Sequence, residues 1–182
     1  MPAVLQQKVS GKEAKRAFRN LLAHLSEPAP GPFDELQLPL AAEQLRDLAP
    51  ARFAPLGILP RQGETLRRIG ERASRLEEAG HMNETDAFAR LTALPGLGPW
   101  TAASVMGRGL GFADQVPLGD WNLPHLVAYR LAGEERADDE RMLELLEPFR
   151  GQRGRVIRWL HAKGKHRQRR GPRMALRQLP QA

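Results

Sequence analysis

Along most of this chain apolar residues recur every third or fourth position, the spacing that gathers them on one face of an α-helix. GKEAKRAFRNLLAHL (11–25) follows Ser10, and Ser10 with Glu13 has the spacing of a capping box, in which side chain and backbone satisfy each other's helix-start donors. AAEQLRDLA (41–49), GETLRRIGERASRLEEA (63–79) and ETDAFARLTAL (84–94) read as further amphipathic helices, the last capped by Asn83. Asp138 stands in the same relation to DERMLELLEPF (139–149), and GRVIRWLHAK (154–163) again has helical apolar spacing. PAPGP (28–32) interrupts the pattern, as closely spaced prolines must. Alternation of the β kind is nearly absent, and no internal repeat is visible. The pattern predicts an all-α domain of short helices.

One segment places poor helix formers between two helical runs. In LPGLGPW (94–100) the first helix ends near Leu94, and Pro99 suits the first turn of the next, where its missing N–H costs nothing. Gly96 and Gly98 can both take positive φ and bare their amides at the start of PWTAASVMGRGL (99–110). Such amides form an anion site reinforced by the helix dipole, suited to a DNA phosphate; taken alone, the same sequence is also an ordinary tight turn. GRGLG (107–111) has no strand before it, so no nucleotide cofactor is expected.

LPGLGPWTA followed by VPLGD (116–120) resembles the helix-hairpin-helix DNA glycosylases, and Trp100 with its spacing to Asp120 resembles their alkylation-repair branch, the 3-methyladenine DNA glycosylases. VLQQKVSGKEA (4–14) and LGILPRQGETLRRIGERA (56–73) are similar to further segments of that branch, so the likeness spans residues 2–162. It implies a helix-hairpin-helix glycosylase-like domain over 1–162, with the hairpin at 91–111 and the catalytic loop at 112–123. Residues 163–182 then form a basic, flexible tail. The branch usually carries elements ahead of the Gln7 segment. The chain therefore resembles a C-terminal portion, and Val4 and Leu5 are expected to lack a covering surface.

The resemblance also assigns roles. Asp120 becomes the catalytic carboxylate, stabilising the oxocarbenium character that grows on the sugar as an N-glycosidic bond breaks. The competing reading is that it caps the helix after it, and both can hold together. Trp100 stands where strand-cleaving relatives carry a nucleophilic lysine, and indole cannot form a Schiff base. Similarity thus implies a monofunctional enzyme that releases an alkylated purine. Trp100, Trp121 and Trp159 are the candidate walls for a flipped base, against the alternative of core packing. Gly96, Leu97, Gly98 and Thr101 are the implied phosphate contacts. Gln7 and Lys8 lie on the DNA-facing segment, where relatives use a bulky wedge; lysine intercalates poorly. A monovalent cation at the hairpin carbonyls is implied, and no other cofactor.

Composition narrows the alternatives. At 182 residues without cysteine, the chain fits one domain free of disulfides, thiolate zinc and cysteine-held clusters. His24, His81, His125, His161 and His166 show no metal-ligand spacing. No apolar run approaches a membrane span and the N-terminus lacks a signal-peptide pattern, so a soluble, cytoplasmic or nucleoid-associated protein without membrane contact is expected. From Arg150 to Arg177 there are 11 Lys or Arg and no acid, while residues 1–149 carry a balance of −4. That asymmetry points to a polyanion such as duplex DNA. A non-catalytic DNA-binding module, or a basic RNA-binding or scaffold protein, would share it. Nothing in the sequence gives an oligomeric state.

Overall fold

A computed structural model of the protein describes residues 1–33 and 35–162. They form two compact units: Met1–His81 with Ala93–Leu97, and Met82–Thr92 with residues 98–162. The tail expected at 163–182 lies outside the described residues.

The first unit holds α1 (Pro2–Leu5), α2 (Gly11–Leu25), α3 (Ala42–Arg46), α4 (Pro60–Glu71) and α5 (Ala73–Glu77). At the start of α2 the capping box closes as its spacing predicts: Glu13 N–H donates to Ser10 Oγ (3.3 Å) and Ser10 N–H to Glu13 Oε2 (2.9 Å). The helix expected from Gly63 begins earlier, at Pro60, because Pro60 fills the first position and the Gln62 carboxamide accepts the Leu59 N–H at 3.0 Å. It breaks at Arg72, which leaves helical geometry (φ −119°, ψ 18°), so one predicted helix is two. Among the described residues β pairing is confined to one bridge, Pro28 with Gln37.

Val4 and Leu5, expected to need a cover, are each 1% exposed. They lie in a core with Leu21, Leu66, Leu94 and Leu97, among others. The chain's own α2, α4 and the segment Ala93–Leu97 supply the covering side chains, which local spacing around residue 4 does not reveal.

The second unit holds α6 (Glu84–Thr92), α7 (Pro99–Val105), α8 (Leu123–Ala132), α9 (Asp139–Leu146) and α10 (Arg153–Ala162). Asn83 accepts the Asp86 N–H at 3.0 Å and Asp138 the Arg141 N–H at 2.9 Å, so both predicted caps are in place. The run expected as one helix over 99–110 is α-helical only to Val105, continues as a π turn (Met106–Leu110), and stops at Gly111 (φ +81°). Three glycines in five residues favour that loosening. α8 packs on α9 and α10 around Leu126, Val127, Met142, Leu146 and Ile157. α10 is anchored by Asp114, which accepts the Arg153 backbone N–H (2.9 Å) and pairs with its guanidinium (2.5 Å). Gly154 permits the close approach: a Cβ there would lie 2.6 Å from the Gln115 carbonyl oxygen. Among the described residues no helix is long and apolar enough to cross a membrane.

Candidate active site and DNA-contact residues

In the second unit the loop before α8 brings Asp120 onto Trp100, the second residue of α7. Asp120 Oδ2 accepts the indole Nε1–H at 3.0 Å. Its other oxygen, Oδ1, accepts the amides of Asn122 (2.8 Å) and Leu123 (3.0 Å), two of the unpaired donors at the start of α8. Capping therefore occupies one oxygen and the indole the other. An ionised carboxylate offers roughly four acceptor positions, so three donors fix its orientation and leave acceptor capacity for a water or a developing positive charge. Only a group that accepts at both ends satisfies this set. An asparagine at 120 would turn its NH2 against either the indole or the helix amides.

The tryptophans differ in setting. Trp100 is half-buried with its ring edge on Asp120, so that bond sets the ring's plane. Trp121 is 85% exposed and Trp159 58% exposed, which removes core packing as the explanation for either. Thr101, assigned to phosphate by resemblance, is only 2% exposed, so its hydroxyl is turned into the protein. Gly98 takes φ −76° and ψ 175° as the residue capping α7, so the positive φ open to a glycine is not used there. An extended backbone at that position already leads into a helix, so no left-handed turn is needed. Among the described residues no His, Asp or Glu group is arranged to hold a metal ion.

In the first unit Gln7 Nε2 donates to the Gly96 carbonyl at 2.8 Å. Its amide group thus braces the turn through residues 94–97 against the segment after α1. Gly96 has φ +101°, and a Cβ there would lie 2.2 Å from Thr65 Oγ1. The Leu97 side chain is buried, and its N–H closes the turn on the Leu94 carbonyl (3.0 Å). Lys8 is exposed and carries the one positive φ outside glycine among the described residues, +55°. A lysine gains nothing locally from that conformation, so the surroundings impose it.

Those surroundings identify a residue that sequence reasoning missed. Gln62, 3% exposed, donates from Nε2 to the Leu5 carbonyl (3.2 Å) and the Gln7 carbonyl (2.9 Å) while its Oε1 caps α4. The capping half of this role was legible, since a glutamine three residues after Leu59 has capping spacing. The half that clamps the Gln7–Lys8 turn, 55 residues away in sequence, had no local signal.

No family model matches the chain. It is 34% identical over 130 residues to the Mycobacterium tuberculosis protein named "Probable bifunctional transcriptional activator/DNA repair enzyme AlkA", covering 71% of this chain and 26% of that protein. The chain spans only about a quarter to a third of the length of the curated relatives it matches (29% and 26% for the first two). The 3-methyladenine DNA-glycosylase from Archaeoglobus fulgidus superposes with a TM-score of 0.75 at 21% identity, over 87% of this chain and 54% of that one. The Schizosaccharomyces pombe 3-methyladenine DNA glycosylase Mag1, solved with abasic DNA, gives 0.72 at 22% identity, over 87% and 75%. At these identities the superpositions speak for the fold, and the fold is that of the helix-hairpin-helix glycosylases.

Proposed function

We propose that this chain, which has the fold of the helix-hairpin-helix DNA glycosylases, belongs to that superfamily and hydrolyses the N-glycosidic bond of alkylated purines in duplex DNA. The observation that carries the reading is the Asp120 carboxylate, held by the Trp100 indole and by two amides at the start of α8. A carboxylate fixed in place before reaction pays no reorganisation cost when positive charge develops on the sugar. It also has acceptor capacity to orient the attacking water. A merely capping residue would use its backbone-facing oxygen alone; here the second oxygen is held as well.

The residue types support release of the base without strand cleavage. Covalent lyase chemistry needs an amine nucleophile. The sequence has no lysine between Lys15 and Lys163, and Trp100 takes the place where strand-cleaving relatives have one. The exposed rings of Trp121 and Trp159 supply π-faces for a flipped base. A purine alkylated on a ring nitrogen can carry positive charge, which adds cation–π attraction to base–aromatic stacking worth ~1–3 kcal/mol. Lys8, projecting from a clamped turn, follows the phosphate backbone rather than filling the space a flipped base leaves. The carbonyls that the resemblance would assign to a monovalent cation are partly engaged, Gly96 by Gln7 and Leu94 by Leu97. No step depends on such an ion.

Methylated duplex DNA incubated with the protein is expected to gain abasic sites, revealed as breaks only after chemical cleavage. Asp120→Asn lowers the excision rate by at least ~100-fold, the scale for losing one electrostatic stabiliser, with affinity for abasic duplex retained. An Asp120→Asn variant that excises at the parent rate refutes the assignment.

A further inference from the structure

The turn that presents Asp120 is held at its far end by a carboxylate from another element. Gly119, the residue before Asp120, has φ +80° and donates its N–H to Asp139 Oδ2 at 2.7 Å. On the other side the Asp120 carboxylate is tied to the first amides of α8. The two-residue turn is therefore pinned before and after, and a charge-assisted bond to a carboxylate is the stronger kind of pin.

Asp139 is not needed for the helix it begins. The cap of α9 is Asp138, whose Oδ1 accepts the Arg141 N–H, and Asp139 is the first residue after it. A second acid there would ordinarily sit in water and interact with the helix dipole. Asp139 instead turns toward Gly119, and its Oδ1 is buried with no partner among the described residues. A buried, unpaired carboxylate oxygen costs stability, and such a group calls for an explanation beyond folding. Holding the Gly119 peptide supplies one. It sets where Asp120 stands relative to Trp100, and small misplacements of a reacting group are costly in rate.

We infer that Asp139 is a positioning residue for catalysis: through the Gly119 N–H it holds the Asp120 carboxylate in register with the Trp100 indole. The inference rests on the proposed role of Asp120, yet one of its readouts is independent of activity. In 15N-labelled protein the Trp100 indole N–H resonance, assigned with Trp100→Phe, reports the bond to Asp120 directly. Asp139→Ala is expected to displace that resonance in the same sense as Asp120→Ala. It should also slow single-turnover excision from methylated duplex DNA at least about tenfold, with unchanged affinity for abasic duplex. Asp139→Asn keeps an acceptor for Gly119 and should restore both the resonance and a rate within about threefold of the parent. If Asp139→Ala does not fold, Asp139→Glu, which retains the charge but displaces the acceptor, is read in the same way.

Asp120→Asn in the same assay separates the two ideas. If that variant excises normally, the catalytic reading fails, and the Trp100 resonance alone decides whether Asp139 positions the turn. If Asp120→Asn is crippled while the acceptor-displacing variant excises normally or leaves the Trp100 resonance in place, the inference about Asp139 is overturned.

Discussion

At Gly96, φ is +101° and a Cβ would meet Thr65 Oγ1 at 2.2 Å; at Gly98, φ is −76° and a Cβ would meet nothing within 4 Å. Two glycines that look equivalent in LPGLGPW therefore bear different loads. Gly96→Ala should cost about 1–3 kcal/mol of backbone strain in addition to displacing Thr65. It should loosen the Gln7 brace on the same carbonyl and weaken binding to duplex DNA. Gly98→Ala should leave unfolding midpoint and DNA affinity close to the parent. Adding Thr65→Ala to Gly96→Ala should recover part of the lost midpoint, because it removes the 2.2 and 2.8 Å contacts and leaves the strain with a Cβ approach of 3.0 Å. Thermal unfolding of the four proteins checks this, and equal losses at the two glycines would contradict it. Gln7 belongs to the same account: its side chain serves the turn, so Gln7→Ala acts on DNA binding through Gly96.

Among the elements, α10 is set apart by how it is attached. Asp114 caps it, pairs with Arg153 in a site where the two side chains are only 18% and 22% exposed, and so fixes the helix that displays Trp159. The hydrogen-bonded Arg153 guanidinium beside Asp114 holds its carboxyl below the usual carboxylate range. For a carboxylate depressed in the folded state, the stabilisation is fully present above the unfolded value of about 3.9. It is lost as the pH falls through the lower folded value. Acid unfolding followed by circular dichroism should accordingly show a steep limb below about pH 4 that is shallower in Asp114→Asn. At neutral pH the same variant should lose about 1–3 kcal/mol, since Arg153 is left without its partner. An unchanged acid limb would mean that the pair contributes nothing to folding. The more exposed pair Arg141–Glu134 (42% and 35%) predicts a weaker limb, because solvent screens it more.

For the molecule as a whole, the proposed encounter with DNA should be governed by charge rather than packing. Seven of the 11 basic residues between Arg150 and Arg177 lie at Lys163 or beyond, against a mildly acidic remainder. Affinity for duplex DNA should fall steeply with salt, with a logarithmic slope of about −0.9 per phosphate neutralised. Removing residues 163–182 should flatten that slope and weaken binding to all sequences alike, while excision by already bound enzyme keeps its rate. A slope unchanged by the deletion would show that this segment makes no phosphate contacts.

What the sequence determined by itself was local. Ser10 and Glu13, Asn83 and Asp138 set helix starts because a cap acts within three residues of itself, and Pro99 placed the start of α7 for the same reason. The motif joining LPGLGPW to Asp120 was legible because both parts are short contiguous runs. Tertiary structure decided everything that joins residues remote along the chain: the indole of Trp100 on Asp120 across 20 residues, Gln7 on Gly96 across 89, and Gln62 on the Gln7 carbonyl across 55. It also decided that Trp121 faces solvent while Thr101 does not, and that Gly98 needs no positive φ. Hydrophobic periodicity records which face of a helix is apolar. It does not record which neighbour that face meets or where the polar groups between helices find partners, and the candidate site is built from those meetings.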